Sequence, residues 1–471
     1  MPCKRPSLTR AGWLNDSEIV CLKSTPFTLV GTPEIWFLSW KISFRSRNRA
    51  KMTSLDTIIW MKRGLILSIL AFVLLGLMTQ RTTAQTVSSR LLVQPGDSWA
   101  ALAVRFQVNA ATLRQLNPHI NPTRQPTIGT ELILPETAVE QSGHFLRQQG
   151  GLLATAVAHN ISPWLIAIRN NRPSPHHPAP YQPIFVSALN ITPRELPIGF
   201  STLELSQLVG IPGQAIGFRA EMVEQQTVTA VLDNNALDVF ANGRYLVGLT
   251  GTGAFFGTQQ PELTIQVGNA PPWRQPWQFR DPDAWEYQQL TLTGTAAQID
   301  QQFIAEERER LFAIWEQNSG PAQWQNSFQL PINNYLEISS VFGVRRSYNG
   351  GPYRSYHEGV DFAAYGGTPV LAPASGTVVV AEFLYVRGGA VIIDHGLGIY
   401  SGYYHLSSLA VAPGDLVTPG QIIGEVGTTG LSTGNHLHWD LLVDAVWVDA
   451  EAWLEQDMAC WILAGLKRPC E

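Results

Sequence analysis

Residues 428–442 read TTGLSTGNHLHWDLL, a glycine- and threonine-rich loop that runs into an alternating apolar segment. The pattern predicts a loop entering a β-strand at His436. On a strand, residues i and i+2 share a face, so His436 and His438 point into one site while Leu437 packs on the other side. Two imidazoles on one face favour two polar roles.

Upstream, His357-Glu358-Gly359-Val360-Asp361 sets an imidazole and a carboxylate four residues apart, the same parity in an extended or irregular strand. Gly359 removes a side chain between them and lets the backbone bend close to an ion. Tyr403-Tyr404-His405-Leu406 adds one more imidazole, a candidate for general acid or base work. Two histidines and a carboxylate with one position left open form the set that catalytic zinc uses. Closed structural sites prefer four protein ligands rich in cysteine, and no cysteine lies near these motifs. Zinc polarises a carbonyl and brings the pKa of its water towards about 7, so amide hydrolysis is the natural reaction class. His395, in IIDHG, reads as a strand-end residue bonded for structure. Tyr353, Tyr356 and Tyr404 are unranked candidates beside a developing oxyanion.

HEGVD, YYHL and GNHLHW, with SSVFGVRR, GTPVLAPASGTVV, VIIDHG and VGTTGLSTG, resemble the lysostaphin and LytM type metallopeptidases of family M23 over nearly all of residues 330–454. The resemblance implies a compact antiparallel β domain with a groove, and one Zn2+ per chain bound by His357, Asp361 and His438. It also implies that His405 and His436 flank the bound water and the scissile carbonyl. His436 takes the larger share of proton transfer and His405 supports the oxyanion. The implied activity is endopeptidase cleavage of the peptide part of bacterial peptidoglycan. The alternative is a metal-free scaffold that binds the wall and activates other wall hydrolases. Every implied ligand is present, which favours the enzyme.

Leu91 to Pro135 has short β-like ends around two helical patterns, with Trp99, Leu102, Ala103 and Phe106 at helical spacing and Asn117-Pro118 as a breaker. Through VQPGDS, ALAVRF, LRQLN and GTELILP, residues 91–135 resemble the LysM module, which binds N-acetylglucosamine-containing glycan. Leu92 stands where that module usually has an aromatic. A frame shift of 53 residues lays ALAVRFQVN on ATAVAHNIS and Asn117 on Asn170, so residues 145–188 read as a degenerate second copy. His176-His177 lies in a proline-rich stretch and reads as exposed loop. Residues 191–292 alternate in short runs separated by Pro-Gly, Asn-Asn and Asn-Gly turns, which predicts an immunoglobulin-like β-sandwich serving as spacer or docking domain. Residues 297–317, with Ile299, Phe303, Leu311 and Ile314 apolar, predict a helix linking sandwich to enzyme.

The whole chain of 471 residues allows two to four domains, and its 40 glycines and 31 prolines point to a mainly β, turn-rich protein. With 32 basic against 37 acidic residues, it carries no electrostatic footprint for nucleic acid. Residues 61–84 have the layout of a secretory signal: Lys62-Arg63, an apolar run from Leu65 to Met78, then Thr82-Thr83-Ala84. That run is shorter than the roughly 20 residues of a spanning helix, which favours cleavage and an extracytoplasmic protein; membrane attachment is the alternative if it stays uncleaved. Residues 1–60, with Met52 and Met61 as later starts, are expected to be absent from the mature chain. Cys460 and Cys470 could pair in an oxidising compartment; two free thiols on a C-terminal tail, residues 455–471, is the other reading.

Overall fold

The computed structural model describes residues 87–140, 144–147, 152–158, 162–170, 172, 174–176, 183–186, 194–282, 285–291, 301–317 and 320–471. The expected 1–60 extension, the 61–84 signal and His177 lie outside them. No helix among the described residues is long and apolar enough to cross a membrane.

The first module runs β1 (Val87–Leu92), α1 (Trp99–Arg105), α2 (Ala110–Leu116), β2 (Glu131–Pro135), with the two strands antiparallel. Ser98 and Asn109 cap the helices by accepting the Ala101 and Ala111 amides. Trp99, Leu102, Phe106, Leu113 and Leu132 form the core, as the helical spacing requires. The sequence repeat has a structural counterpart in β3 (His144–Arg147), α3 (Leu152–Ala158), α4 (Pro163–Arg169) and β4 (Pro183–Val186). In the first module the Asn117 amide donates to Leu113 O and Ile133 O and accepts the Ile133 N–H at 2.6 Å. Asn170 makes the same clasp with Ile166 and Phe185, again with a 2.6 Å bond.

Seven antiparallel strands follow: β5 (Phe200–Leu205), β6 (Ala215–Met222), β7 (Val228–Leu232), β8 (Asn235–Asn242), β9 (Tyr245–Gly251), β10 (Glu262–Val267) and β11 (Trp273–Pro276). β8 pairs first with β7, Leu237 opposite Ala230, and then with β9, Asp238 opposite Leu249. Two leaves therefore share one strand, and Leu203, Phe218 and Met222 of one meet Leu232, Leu263 and Ile265 of the other in a single core. Hydrogen bonding through β8 makes the sheet path continuous, where an immunoglobulin sandwich has two separate sheets.

In the C-terminal domain the main sheet has the order β13 (Glu337–Ser340), β16 (Gly359–Ala363), β24 (His436–Val443), β20 (Ile399–Leu406), β19 (Gly388–Gly396), β18 (Gly376–Leu384), β22 (Leu416–Val417), with β25 (Val446–Val448) added to β24. β17 (Pro369–Leu371), β23 (Ile422–Glu425) and β21 (Ser408–Leu409) form a small second sheet. β12 (Tyr287–Leu290) lies parallel to β14 (Arg345–Tyr348), which also pairs with β15 (Ser355–Tyr356). The sandwich is wedged against this domain. The Arg345 guanidinium lies 4.2 Å from the ring centres of both Phe255 and Trp285 and bonds the Ala254 carbonyl.

Two expectations about the edges of this domain change. The helix α5 (Gln301–Trp315) does more than link: Leu311 and Trp315 are buried in the same core as the sheet, while Phe303, expected on the apolar face, is 53% exposed. Residues 455–471 are not a loose tail. After α6 (Ala450–Glu455), the run MACWILAG forms α7 (Met458–Gly465), whose Met458, Ala459, Ile462 and Leu463 join that core because so apolar a run cannot stay in water. Cys460 and Cys470 are disulfide-bonded with their Cα atoms 5.4 Å apart, and the Glu471 amide donates to Gln325 O at 2.9 Å. We expect Leu463→Ala to lower the unfolding free energy by about 2–5 kcal/mol in urea titrations. An unchanged midpoint would restore the loose tail.

Candidate metal centre

β16 and β24 pair so that Asp361 lies directly opposite His438 and Ala363 opposite His436. Opposed residues share a face at close Cβ distance, so this register alone brings carboxylate and imidazole together. His357 enters from the segment just before β16. Its Nε2 lies 3.0 Å from Asp361 Oδ1 and 3.0 Å from His438 Nδ1, and that nitrogen lies 2.8 Å from the same Oδ1. Gly359 makes the approach possible. A Cβ there would stand 2.3 Å from Trp439 O and 2.8 Å from His438 Nε2.

Tautomers follow from acceptors that cannot donate. His357 Nδ1 meets Val341 O at 2.9 Å, with Ser340 Oγ at 3.0 Å, so Nδ1 carries the proton and Nε2 presents a lone pair to the triangle. Burial pushes the His438 imidazole down to about 3, which keeps it neutral and able to ligate. Burial tends to raise the Asp361 carboxyl, but the adjoining His357 and His438 rings outweigh it and hold the group far below the ordinary range. Two imidazole nitrogens and one carboxylate oxygen converge at mutual distances no proton arrangement satisfies at all three corners. The donor set fits a metal ion, and His357, Asp361 and His438 are the residues that would hold it.

His405 and His436 stand beside the triangle, their ring centres 4.7 Å apart. His436 Nδ1 donates to Gly434 O at 2.9 Å, and its Nε2 lies 3.8 Å from Asp361 Oδ1. His405 Nδ1 donates to Thr429 O at 2.8 Å, and burial pushes this imidazole down to about 4. A carbonyl partner thus fixes Nδ1 as the donating nitrogen on each ring. Strand alternation would turn His405 away from the face of Tyr404, its neighbour, which sits opposite His438. The β19–β20 register, Val391 opposite Tyr403 but Gly389 opposite Leu406, inserts one extra residue on β20, and His405 takes the left-handed φ of 62°. That bulge re-aims the ring into the site.

Sequence reasoning missed Asp440, Arg387 and Glu307. The Tyr404 ring stacks on His438 at 5.5 Å, and its hydroxyl donates to Asp440 Oδ1 at 3.3 Å, while Trp447 Nε1 donates to Oδ2 at 2.9 Å. Burial raises the Asp440 carboxyl to about 7 even though the Arg387 guanidinium opposes it. Asp440 shares the parity of His436 and His438, a signal the sequence carried. Arg387 sits on a turn with no motif. Tyr356 packs edge-on against Phe255 and Phe342 beside His357, and Tyr287 pairs with Tyr353.

Residues 355–450 match Peptidase family M23 and residues 92–135 match the LysM domain. Residues 355–450 thus form a domain of the M23 peptidase family. Over 120 residues it is 40% identical to the peptidoglycan DD-endopeptidase ShyA of Vibrio cholerae, covering 25% of this chain and 28% of that protein. Over 122 residues it is 39% identical to the DD-carboxypeptidase/endopeptidase Mpg of Neisseria meningitidis, 26% and 28% of the two chains. The alignments thus span little more than a quarter of these relatives. Among solved structures, the catalytic domain of the antimicrobial peptidase lysostaphin from Staphylococcus simulans is 32% identical, with 30% of this chain and 97% of that one covered and a TM-score of 0.21.

His395 is the buried histidine outside this centre, bonded to Ser375 O at 2.9 Å and Ser401 Oγ at 2.7 Å, and burial pushes it down to about 4. Unfolding returns it to about 6.5. Its contribution to stability is therefore complete above pH 6.5 and is lost as pH falls towards 4. In metal-free protein the urea midpoint should drop across this window, with a shallower drop in His395→Gln. Parallel profiles for the two proteins would show that His395 does not resist protonation.

Proposed function

We propose that the chain is a zinc-dependent endopeptidase that hydrolyses peptide cross-links of bacterial peptidoglycan. Its LysM domain tethers it to N-acetylglucosamine glycan, and it works in an extracytoplasmic space. The carrying observation is the triangle of His357 Nε2, His438 Nδ1 and Asp361 Oδ1, none more than 3.0 Å from the others, with two more imidazoles alongside. Nitrogen and carboxylate ligands without cysteine suit a catalytic zinc with an open position. When bound, the cation supplies Lewis-acid polarisation of a carbonyl and acidification of water. The DD-endopeptidase activity for which the Vibrio cholerae and Neisseria relatives are named favours the same specificity here.

The chain's own residues supply the rest. His436 Nε2, 3.8 Å from Asp361, is placed to take a proton from the attacking water and pass it to the leaving amine. His405, its ring direction fixed by the Nδ1 bond to Thr429 O, stands beside His436, where protonation of its Nε2 as negative charge develops would let it donate to the carbonyl oxygen. Burial keeps the His405 ring neutral at rest, which avoids charge repulsion with a nearby cation. Residue types at the site are complete, which favours an active enzyme over a metal-free scaffold.

His438→Ala should lose zinc and activity together, while His436→Ala should keep about one zinc and lose at least 100-fold in kcat on a defined cross-linked muropeptide. Stoichiometric metal analysis beside that assay decides. Loss of zinc from both variants would reassign the ligands, and a wild-type protein that holds no zinc and cleaves nothing would leave the scaffold. Tethering is checked by sedimenting the full chain with insoluble peptidoglycan, with release expected on adding soluble N-acetylglucosamine oligomers. Failure to sediment removes the LysM role.

A further inference from the structure

The turn at residues 385–387, between β18 and β19, touches two segments of the metal centre through its main chain. Arg387 O accepts the His405 amide at 2.8 Å, and Val386 O accepts the Leu431 amide at 2.8 Å. Gly389 N donates to Thr429 Oγ1 at 2.8 Å, so the turn also steadies the residue whose carbonyl orients His405. Its one long side chain reaches a third element: the Arg387 guanidinium lies 5.1 Å from the centre of the Tyr404 ring, which stacks on His438.

A left-handed histidine inside a strand costs free energy and persists only if its surroundings hold it. Here the holding group lies outside the region that matches the peptidase family. Glu307, on α5, is buried with its side chain 5% exposed; Oε2 accepts the Val386 amide at 2.8 Å and Oε1 accepts Arg387 Nη1 at 3.0 Å. One carboxylate thus grips both main chain and side chain of the turn. Next to it, Arg308 reaches Glu358 at 3.2 Å, the residue after His357.

We infer that Glu307 is a positioning residue for the metal centre. Acting through the 386–387 turn, it holds His405 in its left-handed conformation and the Tyr404 ring against His438, which makes α5 part of the working enzyme. The inference rests on the peptidase reading above, and it differs from a purely stabilising role in one respect. A brace for the fold changes how much protein is folded, whereas a positioning residue changes turnover by folded protein.

The test uses the full chain with Glu307→Gln and Glu307→Ala, and Arg310→Gln as a control on the same helix, where an exposed pair with Glu382 is lost. Well below each variant's unfolding temperature, both Glu307 variants should keep one zinc. Their kcat on a defined cross-linked muropeptide should fall about 10- to 100-fold with KM within about twofold. Glu307→Gln should fall less, because its amide oxygen still accepts the Val386 N–H. Amide hydrogen exchange, a readout independent of activity, should quicken at residues 405 and 431 and stay unchanged in β22. Wild-type turnover in folded Glu307→Gln and Glu307→Ala overturns the inference, as does faster exchange spread evenly over the sheet. If the wild-type chain cleaves nothing, the peptidase reading fails, and the exchange pattern still decides whether Glu307 positions these segments.

Discussion

The pairing of β16 with β24 is the constraint on which the site depends. Asp361 stands opposite His438 in a register that buries Val360, Phe362, Leu437 and Trp439 on the core side. A slip of one residue would turn the two apolar side chains of the slipped strand to solvent and its candidate ligand into the core, so core burial and site geometry are fixed together. The same register opposes Gly359 to Asp440, where the missing Cβ admits the main chain at Trp439 and the His438 ring. Strand pairing thus holds an acid and an imidazole close enough to compete for one proton, an arrangement whose electrostatics favour a cation.

Around this pair the domain departs from regular structure where direction matters. His405 reaches the centre only through a bulge, and the cost of its backbone conformation is met by hydrogen bonds at both its amide and its ring. Behind it lies a buried polar layer of Tyr404, Asp440, Arg387 and Glu307. Burial works against the charge on Arg387, but Tyr404, Asp440, Glu358 and Glu307 outweigh it and raise the pKa above its usual value. Such a layer is worth having only if its members are mutually satisfied, since a lone buried charge is costly. Gly402 supplies the room: a Cβ there would meet the Tyr404 hydroxyl and Asp440 Oδ1 at 2.1 and 2.3 Å.

How much of this was legible in the sequence follows from how local each cause is. Period-two alternation at His436, Leu437 and His438 and the short HEGVD motif put three candidate ligands on site faces, because parity is a property of neighbours in the chain. The asparagine clasp of the first module and its repeat was visible as a frame shift, for the same reason. The aim of His405 was not, since it needs an extra residue in a β19–β20 register that only pairing reveals. Glu307 and Arg387 meet across 80 positions, and α7 is packed by partners from distant strands. An apolar run such as MACWILAG announces burial without naming what covers it.

Domain assembly changes what tethering can mean. The Gly-Asp-Ser turn that carries much of the LysM resemblance is buried against the sandwich: Gly96 N donates to Gln275 Oε1 at 2.8 Å, Ser98 Oγ to Glu195 Oε2 at 2.6 Å, and Ile128 N to Pro276 O at 2.8 Å. Gly129 sits where a Cβ would lie 2.1 Å from Leu208 O. A module fastened in this way is no flexible leash. A flexible tether raises the concentration of an enzyme around its anchor in all directions, whereas a rigid one offers the catalytic groove to the sites that one fixed geometry can reach. The sandwich packs on the first module through Gln275 and on the C-terminal domain through Phe255. Under the proposed function it would act as a spacer, and the length between glycan contact and metal site, set by β-sandwich packing, would bear on where the wall is cut.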